Sequence, residues 1–143
     1  MIEQINKTIL MLKRHGFSFV GINAGEEIFT SSKKGVAPIM ELIERNANLK
    51  GAAAADKIIG GAAAFLLVKC GVAYVYGDVM SEKAVSILNR YHIPYSYSRL
   101  VPFIKNRRGD GLCPMEKLCM DISTPDEAFD TIKEFILRNS SQA

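Results

Sequence analysis

The sequence predicts an α/β protein, a three-layer α-β-α sandwich built on a mixed sheet. Three observations carry that expectation. Phe17 to Asn23 and Glu27 to Thr30 are two short strand-like runs joined by Ala24-Gly25-Glu26, which reads as a hairpin. Val72 to Leu100 alternates strand, helix and strand, a βαβ unit whose crossover is right-handed by default. Between them, Ala54 to Lys69 has helical length and is apolar on nearly every side, as a buried central helix would be.

The elements follow in order. Ile2, Ile5, Ile9 and Leu12 repeat at helical spacing, with Glu3, Lys7, Lys13 and Arg14 elsewhere on the wheel, and Gly16 closes this first helix. After the hairpin, Ser31 to Gly35 is polar. Pro38 then suits the start of a helix whose apolar face is Ile39, Leu42 and Ile43, and Asn46 to Gly51 ends it. In the central helix, each of Gly60 and Gly61 costs about 1 kcal/mol against Ala. These glycines, with Ala62 to Ala64, therefore read as places where a neighbouring backbone comes close, and Gly71 supplies the stop. Val72 to Tyr76 is a buried strand. Ser81 caps a helix with Ala84, Val85, Ile87 and Leu88 inward, lasting to about Tyr91. Pro94 opens the strand Tyr95 to Leu100, and Lys105 to Gly111 is a polar loop. Pro114 begins a short helix through Met120. Thr124-Pro125-Asp126-Glu127 is a capping box for a last helix to about Asn139, with Phe129, Ile132 and Ile136 inward. The tail SSQA is expected to fray. No repeat or linker divides the chain, so residues 1–143 are read as one domain.

Composition narrows the function classes. The chain has 143 residues, enough for one cored domain, and its 48% hydrophobic and 23% charged content argues against disorder. The longest apolar run, Ile58 to Val68, is too short to cross a bilayer, and MIEQINKT does not read as a signal peptide. A formal net charge of +3 is mild and does not call for a nucleic-acid partner. Three cysteines (Cys70, Cys113 and Cys119) cannot complete a disulfide framework, so reduced thiols in a cytoplasmic protein are expected.

Several side chains are candidates for chemistry. Asp56 and Lys57 fall in the first turn of the expected central helix, where amides and dipole favour an anion such as phosphate. Lys57 would add a charge-assisted bond and Asp56 would accept from a ribose hydroxyl or an amino group; the plain alternative is a dipole partner and a solvated lysine. Lys105, Arg107 and Arg108 sit in a glycine-bearing loop that can wrap a phosphate, or are a solvated surface loop with Asp110 neutralising it. Gly77-Asp78 follows the expected strand, the edge where open α/β sheets hold ligands, unless it is a simple turn. Cys113 at a helix N-terminus is a candidate reactive thiol, and Glu116 a candidate general base or dipole partner. Cys119 reads as a core residue. Cys113 and Cys119 are too loosely spaced for a zinc pair, with His15 and His92 far off, so no metal is expected. Ser81 reads as a cap. Tyr95 and Tyr97 stack on a base or form sheet surface. No G-x-S-x-G, G-x-G-x-x-G or Walker loop is present.

The stretches AADKIIGGAAAFLL, VYGDVMSEKAVSILN and GLCPMEKLC resemble the cytidine deaminase-like superfamily, and within it an uncharacterised bacterial domain family with no settled activity. The resemblance covers roughly Phe17 to Leu112. It implies a hairpin, a buried helix and a parallel βαβ pair. In zinc-dependent deaminases the central helix opens with a His or Cys ligand followed by a general acid/base Glu, and the next helix opens with Pro-Cys-x-x-Cys. This chain offers Ala54, Ala55, Asp56 and Lys57 at the first place, and Val79 to Ala84 at the second, without a His or Cys.

Taken together, the residues and the resemblance imply a non-zinc member of that superfamily without a cofactor. It would bind a nucleotide or phosphorylated nucleoside through Asp56, Lys57, Asp78 and Ser81, helped by Arg107 and Arg108. Two alternatives stay open. One is a nucleotide-modifying enzyme acting through Asp56, Cys113 or Glu116. The other is a homodimeric interaction module with a vestigial pocket.

Overall fold

The computed structural model describes residues 1–140. Its elements run α1 (Ile2–His15), β1 (Phe19–Ile22), β2 (Ile28–Ser31), α2 (Ala37–Glu44), β3 (Ala53–Ile59), α3 (Gly61–Cys70), β4 (Tyr74–Ser81), α4 (Glu82–Arg90), β5 (Tyr95–Val101), α5 (Pro114–Leu118) and α6 (Pro125–Ser140). The sheet is mixed and has the order β2-β1-β3-β4-β5. β1 is antiparallel to both β2 and β3, whereas β3, β4 and β5 are parallel. The hairpin and the β4–α4–β5 unit thus form as the sequence predicts. Asn23 shapes the hairpin turn, its Oδ1 accepting from the Glu27 N–H at 2.9 Å.

One expectation fails at the centre. The helix read over Ala54 to Lys69 is two elements: Ala53–Ile59 is the middle strand of the sheet, and the helix begins only at Gly61. A short apolar run cannot be told from a buried helix by periodicity. Alanine, the best helix former, is overridden here by sheet pairing on both sides and burial on both faces. The backbone breaks at Gly60, which is extended at φ −98° and ψ −170°. Asp56 and Lys57 are therefore strand residues. The next strand is longer than the predicted Val72 to Tyr76, so Asp78 lies inside β4 and not after it.

Two cores cover the two faces of the sheet. On one, Leu12 of α1 packs on Val20, Ala55 and Tyr76. On the other, α2, α3 and α4 contribute Ile39, Phe65, Leu66 and Leu88 to the main core with Ala128 and Ile132 of α6. α6 packs on α3, so α3 is buried from Gly61 to Leu67. Each fully buried Leu or Phe contributes about 1.5–3 kcal/mol, and Phe65 and Leu66 are both fully buried. Ile136, expected inward, is 37% exposed, whereas Ala128 and Ile132 of the same helix are fully buried. Thr124 does cap α6, its Oγ1 accepting from the Glu127 N–H at 3.2 Å. Of the tail SSQA, Ser140 is helical, and residues 141–143 lie outside the described residues. Among the described residues no helix is long and apolar enough to cross a membrane.

The strands β3 and β4 share an irregularity. Ala54 and Ile59, five apart, lie in one core, and so do Val75 and Met80. A regular strand would put residues five apart on opposite faces. Both strands shift phase together at a constant offset, with Asp56 opposite Gly77 and Ile59 opposite Met80, and the ladder skips Lys57 and Asp78 between them. Gly77 permits it: a Cβ there would stand 2.9 Å from Cγ1 of Ile59 and 3.0 Å from the Val79 carbonyl oxygen. The backbone atom cannot swing aside. Gly77→Ala is expected to lower stability by about 1–3 kcal/mol through overpacking. A urea midpoint equal to that of the parent chain would contradict this packing.

Candidate functional site

The parallel strands β3, β4 and β5 end on one edge, at Ile59, Ser81 and Val101. Ligands of open α/β sheets sit outside that edge. After β3, the Gly60-Gly61 turn enters α3. After β4, Ser81 caps α4, its Oγ accepting from the Ala84 N–H at 3.1 Å. After β5, Pro102 and Phe103 lead into a small hairpin closed by a bridge between Lys105 and Leu112. Its tip is fixed by the Asn106 side chain, which donates to Asp110 at 2.9 Å and accepts from the Asp110 N–H at 3.2 Å. The Cys113 N–H then donates to the Ile104 carbonyl at 2.9 Å, and Pro114 starts α5. These segments enclose an open cleft of about 320 Å³ lined by Lys83, Phe103, Leu112, Glu116 and Met120.

Glu116 is the central group of the cleft. It comes from α5, is 7% exposed, and its Oε1 accepts from the Gly61 N–H at 2.9 Å. It thereby caps α3, whose own N-cap residue, Gly60, has no side chain to do so. A Cβ on Gly60 would collide with that same oxygen, and one on Gly61 would stand 2.9 Å from Cγ of Lys83. The two glycines make room for side chains, a carboxylate and a lysine stem, and not for the backbone that the sequence suggested. Oε2 has no hydrogen-bond partner among the described residues. Burial pushes the Glu116 carboxyl above its ordinary pKa, while the Gly61 N–H and the Lys83 charge pull it back. Lys83 itself reaches the Met120 carbonyl at 3.3 Å.

The other sequence candidates fall elsewhere. Asp56 lies opposite Phe19 and Gly77 in the sheet and is 6% exposed. Its Oδ1 accepts from the Ile58 N–H at 3.1 Å. Burial pushes its carboxyl from 3.8 up to about 7; the Ile58 and Lys57 amides oppose the shift and the Asp78 charge adds to it. Asp78 accepts from the Tyr76 hydroxyl at 2.7 Å, and that hydroxyl is also 2.5 Å from Ser98 Oγ. Asp56 and Asp78 are thus brought near each other, but not to a helix start. Ser81 is fully buried as a cap, Lys57 is exposed, and Arg107 and Arg108 stand at the exposed tip of the hairpin. Cys113 is the half-buried residue preceding α5, and burial pushes the Cys119 thiol up to about 11. Of the residues singled out from sequence, Glu116 alone lines the cleft. Lys83, Phe103, Leu112 and Met120 were missed. The available signal was positional: each follows the C-terminal end of a parallel strand or flanks the Glu116 helix.

This arrangement defines an α/β domain with a carboxylate-floored cleft at the ends of its parallel strands. A family model described as TM1506, domain of unknown function (DUF1893), matches residues 7–136, and the chain belongs to that family. It is similar to the crystal structure of a DUF1893 family protein from Thermotoga maritima, with 28% identity and a TM-score of 0.86 over 94% of this chain and 90% of that one. No curated protein matches it.

Two outcomes follow from the carboxyls. Gly60→Ala is expected to displace Glu116 and cost about 1–3 kcal/mol, as is Glu116→Ala. Combined, they are expected to cost no more than the larger single change; full additivity in a double-mutant cycle would show that the two residues do not share one interaction. For Asp56, the folded chain retains, between about pH 4 and pH 7, a proton that the unfolded chain releases. Stability therefore falls as pH rises across that window, by up to about 4 kcal/mol, and levels off above it. Asp56→Asn is expected to flatten this slope in urea unfolding at about pH 5, 6.5 and 8; a slope unchanged in the variant would reject the assignment.

Proposed function

We propose that this chain is a deaminase-like domain that works without zinc and binds a nucleotide, or a related phosphorylated nucleoside, in the cleft between the starts of α3 and α4. The carrying observation is the Glu116 carboxylate: buried, fixed through one oxygen to the Gly61 N–H, with its other oxygen unpartnered among the described residues. Such a group accepts well from the amino and ring N–H edge of a base. Phe103, 45% exposed on the cleft wall, offers a ring to stack on. The hairpin beside it carries Arg107 and Arg108, which suit a phosphate.

The hairpin-led mixed sheet and the β4–α4–β5 unit support the deaminase-like reading. The zinc of that superfamily does not fit these residues. The starts of α3 and α4 present Gly60, Gly61, Ala62 and Ala63, and Ser81, Glu82, Lys83 and Ala84, without imidazole or thiol. Glu116 is a single oxygen donor, and the ammonium of Lys83 bears on it. Among the described residues no three His, Cys, Asp or Glu side chains gather as a metal set would. A catalytic version of the same site would act through Glu116, since a carboxyl raised by burial is suited to proton exchange.

Titration calorimetry with the four ribonucleoside monophosphates, to about 5 mM, tests this reading. A saturable signal is expected with at least one base, weakened roughly tenfold by Glu116→Gln or by Phe103→Ala. Gln keeps an acceptor for the Gly61 amide, and Phe103 is exposed, so both variants should fold. Absence of any saturable signal would sink the proposal.

A further inference from the structure

The positive charge of this chain is concentrated on one segment. Residues 95–112 hold four basic side chains, Arg99, Lys105, Arg107 and Arg108, and one acid, Asp110. Their net of +3 equals the formal net charge of the whole chain, so everything outside this segment is neutral in sum. The modest total concealed this placement. All four cations are exposed, and none makes an ion pair among the described residues. Asp110 is held by the Asn106 amide and not by an arginine.

The segment begins on β5, the edge strand beyond β4, which has no strand on its other side among the described residues. Its middle, Tyr97 to Leu100, is exposed. Tyr97 is 41% exposed and its ring is fixed by stacking on Tyr95 at 6.4 Å between centroids. Arg99, opposite Val79, follows Tyr97, opposite Gly77, across the point where β4 shifts phase, and both side chains are exposed on this edge strand. Past the strand, Phe103 exposes its ring just before Lys105 and the rigid hairpin. Cations therefore alternate with presented aromatic rings along one continuous edge.

We propose that this edge, from Tyr97 to Arg108, binds single-stranded nucleic acid. Cations that track a phosphate backbone, with rings on which bases stack, are the elements of sequence-tolerant single-strand binding. An acidic protein would use the charge but not the two rings. A lipid surface would favour an apolar helix face between the cations, whereas here Ser96 and Ser98 separate the tyrosines and Arg99. The proposal shares Phe103, Arg107 and Arg108 with the cleft reading, but Tyr97 and Arg99 do not line the cleft and Glu116 has no part in the edge.

The test is fluorescence anisotropy of the full chain with a labelled single-stranded oligonucleotide of about twelve nucleotides. Four neutralised phosphates give a log–log salt slope of about −2.8, so affinity should fall about 50-fold between roughly 50 and 200 mM salt. In an Arg107→Ala, Arg108→Ala double variant the slope should halve and the fall shrink to about sevenfold. Tyr97→Ala and Phe103→Ala should each weaken binding about fivefold or more. Glu116→Gln should leave strand binding unchanged, which separates this proposal from the cleft reading. No anisotropy change at about 100 μM protein would overturn it. So would binding indifferent to both aromatic substitutions, which reduces the edge to charge alone. Binding to phosphatidylserine vesicles without binding to the oligonucleotide would assign the edge to a lipid surface instead.

Discussion

A helix buried on every side has no water to satisfy its first amides, and this constraint shapes the chain around α3. The residues from Gly61 to Leu67 are buried between the sheet and the outer helices, so the free N–H groups at the start need a protein acceptor. A side-chain cap in the ordinary position is missing, because Gly60 stands there. The acceptor is delivered from 55 residues away, by Glu116. The cap then imposes its own conditions. Gly60 must lack a side chain to admit the carboxylate, Gly61 must lack one to admit Lys83, and α5 must lie against α3. The cleft is the space left where α5 and the loops before and after it meet the strand ends.

That cap also decides where negative charge on a ligand can go. A helix N-terminus ordinarily attracts anions, but the start of α3 already holds one, and the first turn of α4 is served by Ser81. A phosphate brought to the α3 start would face a carboxylate at close range. The charge that suits a phosphate lies instead on the hairpin after β5, whose backbone is closed by the Lys105–Leu112 bridge and whose tip is fixed through Asn106. The site thus separates its functions: an acceptor for N–H groups in the cleft and cationic forks outside it.

Local chemistry was legible in the sequence, and long-range chemistry was not. Gly16 and Gly71 end α1 and α3 in the left-handed conformation, Ser81 and Thr124 cap α4 and α6, and Pro114 opens α5, all as the residue types require. The strand Ala53–Ile59 was hidden because its alanines favour helix locally, and only pairing with β1 and β4 makes them a strand. That single error carried Asp56 and Lys57 to a helix start they do not occupy. Within the site, Glu116 stood out as an acid near a helix start, but nothing in GLCPMEKLC says that its partner is Gly61. Lys83 and Phe103 were invisible for the same reason: their significance comes from three strand ends meeting, which no window of sequence contains.

The two raised carboxyls then part into different roles. A buried acid is costly unless its bonds repay it. Asp56 sits where β3 and β4 lose their regular alternation, and there its Oδ1 takes the Ile58 amide. Buried amides need an acceptor, and at an irregular point of a strand a neighbouring carboxyl can supply one. Its burial within the sheet and its bond to its own strand make Asp56 a support for the phase shift that brings Ile59 over Gly77 and into the main core. Glu116 differs in one respect that matters. Its structural bond uses a single oxygen, and the residue lines an open cleft instead of a sheet interior. A carboxyl that is half committed to the fold and half free is positioned by the first task for the second, and this is the physical ground for preferring Glu116 to Asp56 as the functional acid.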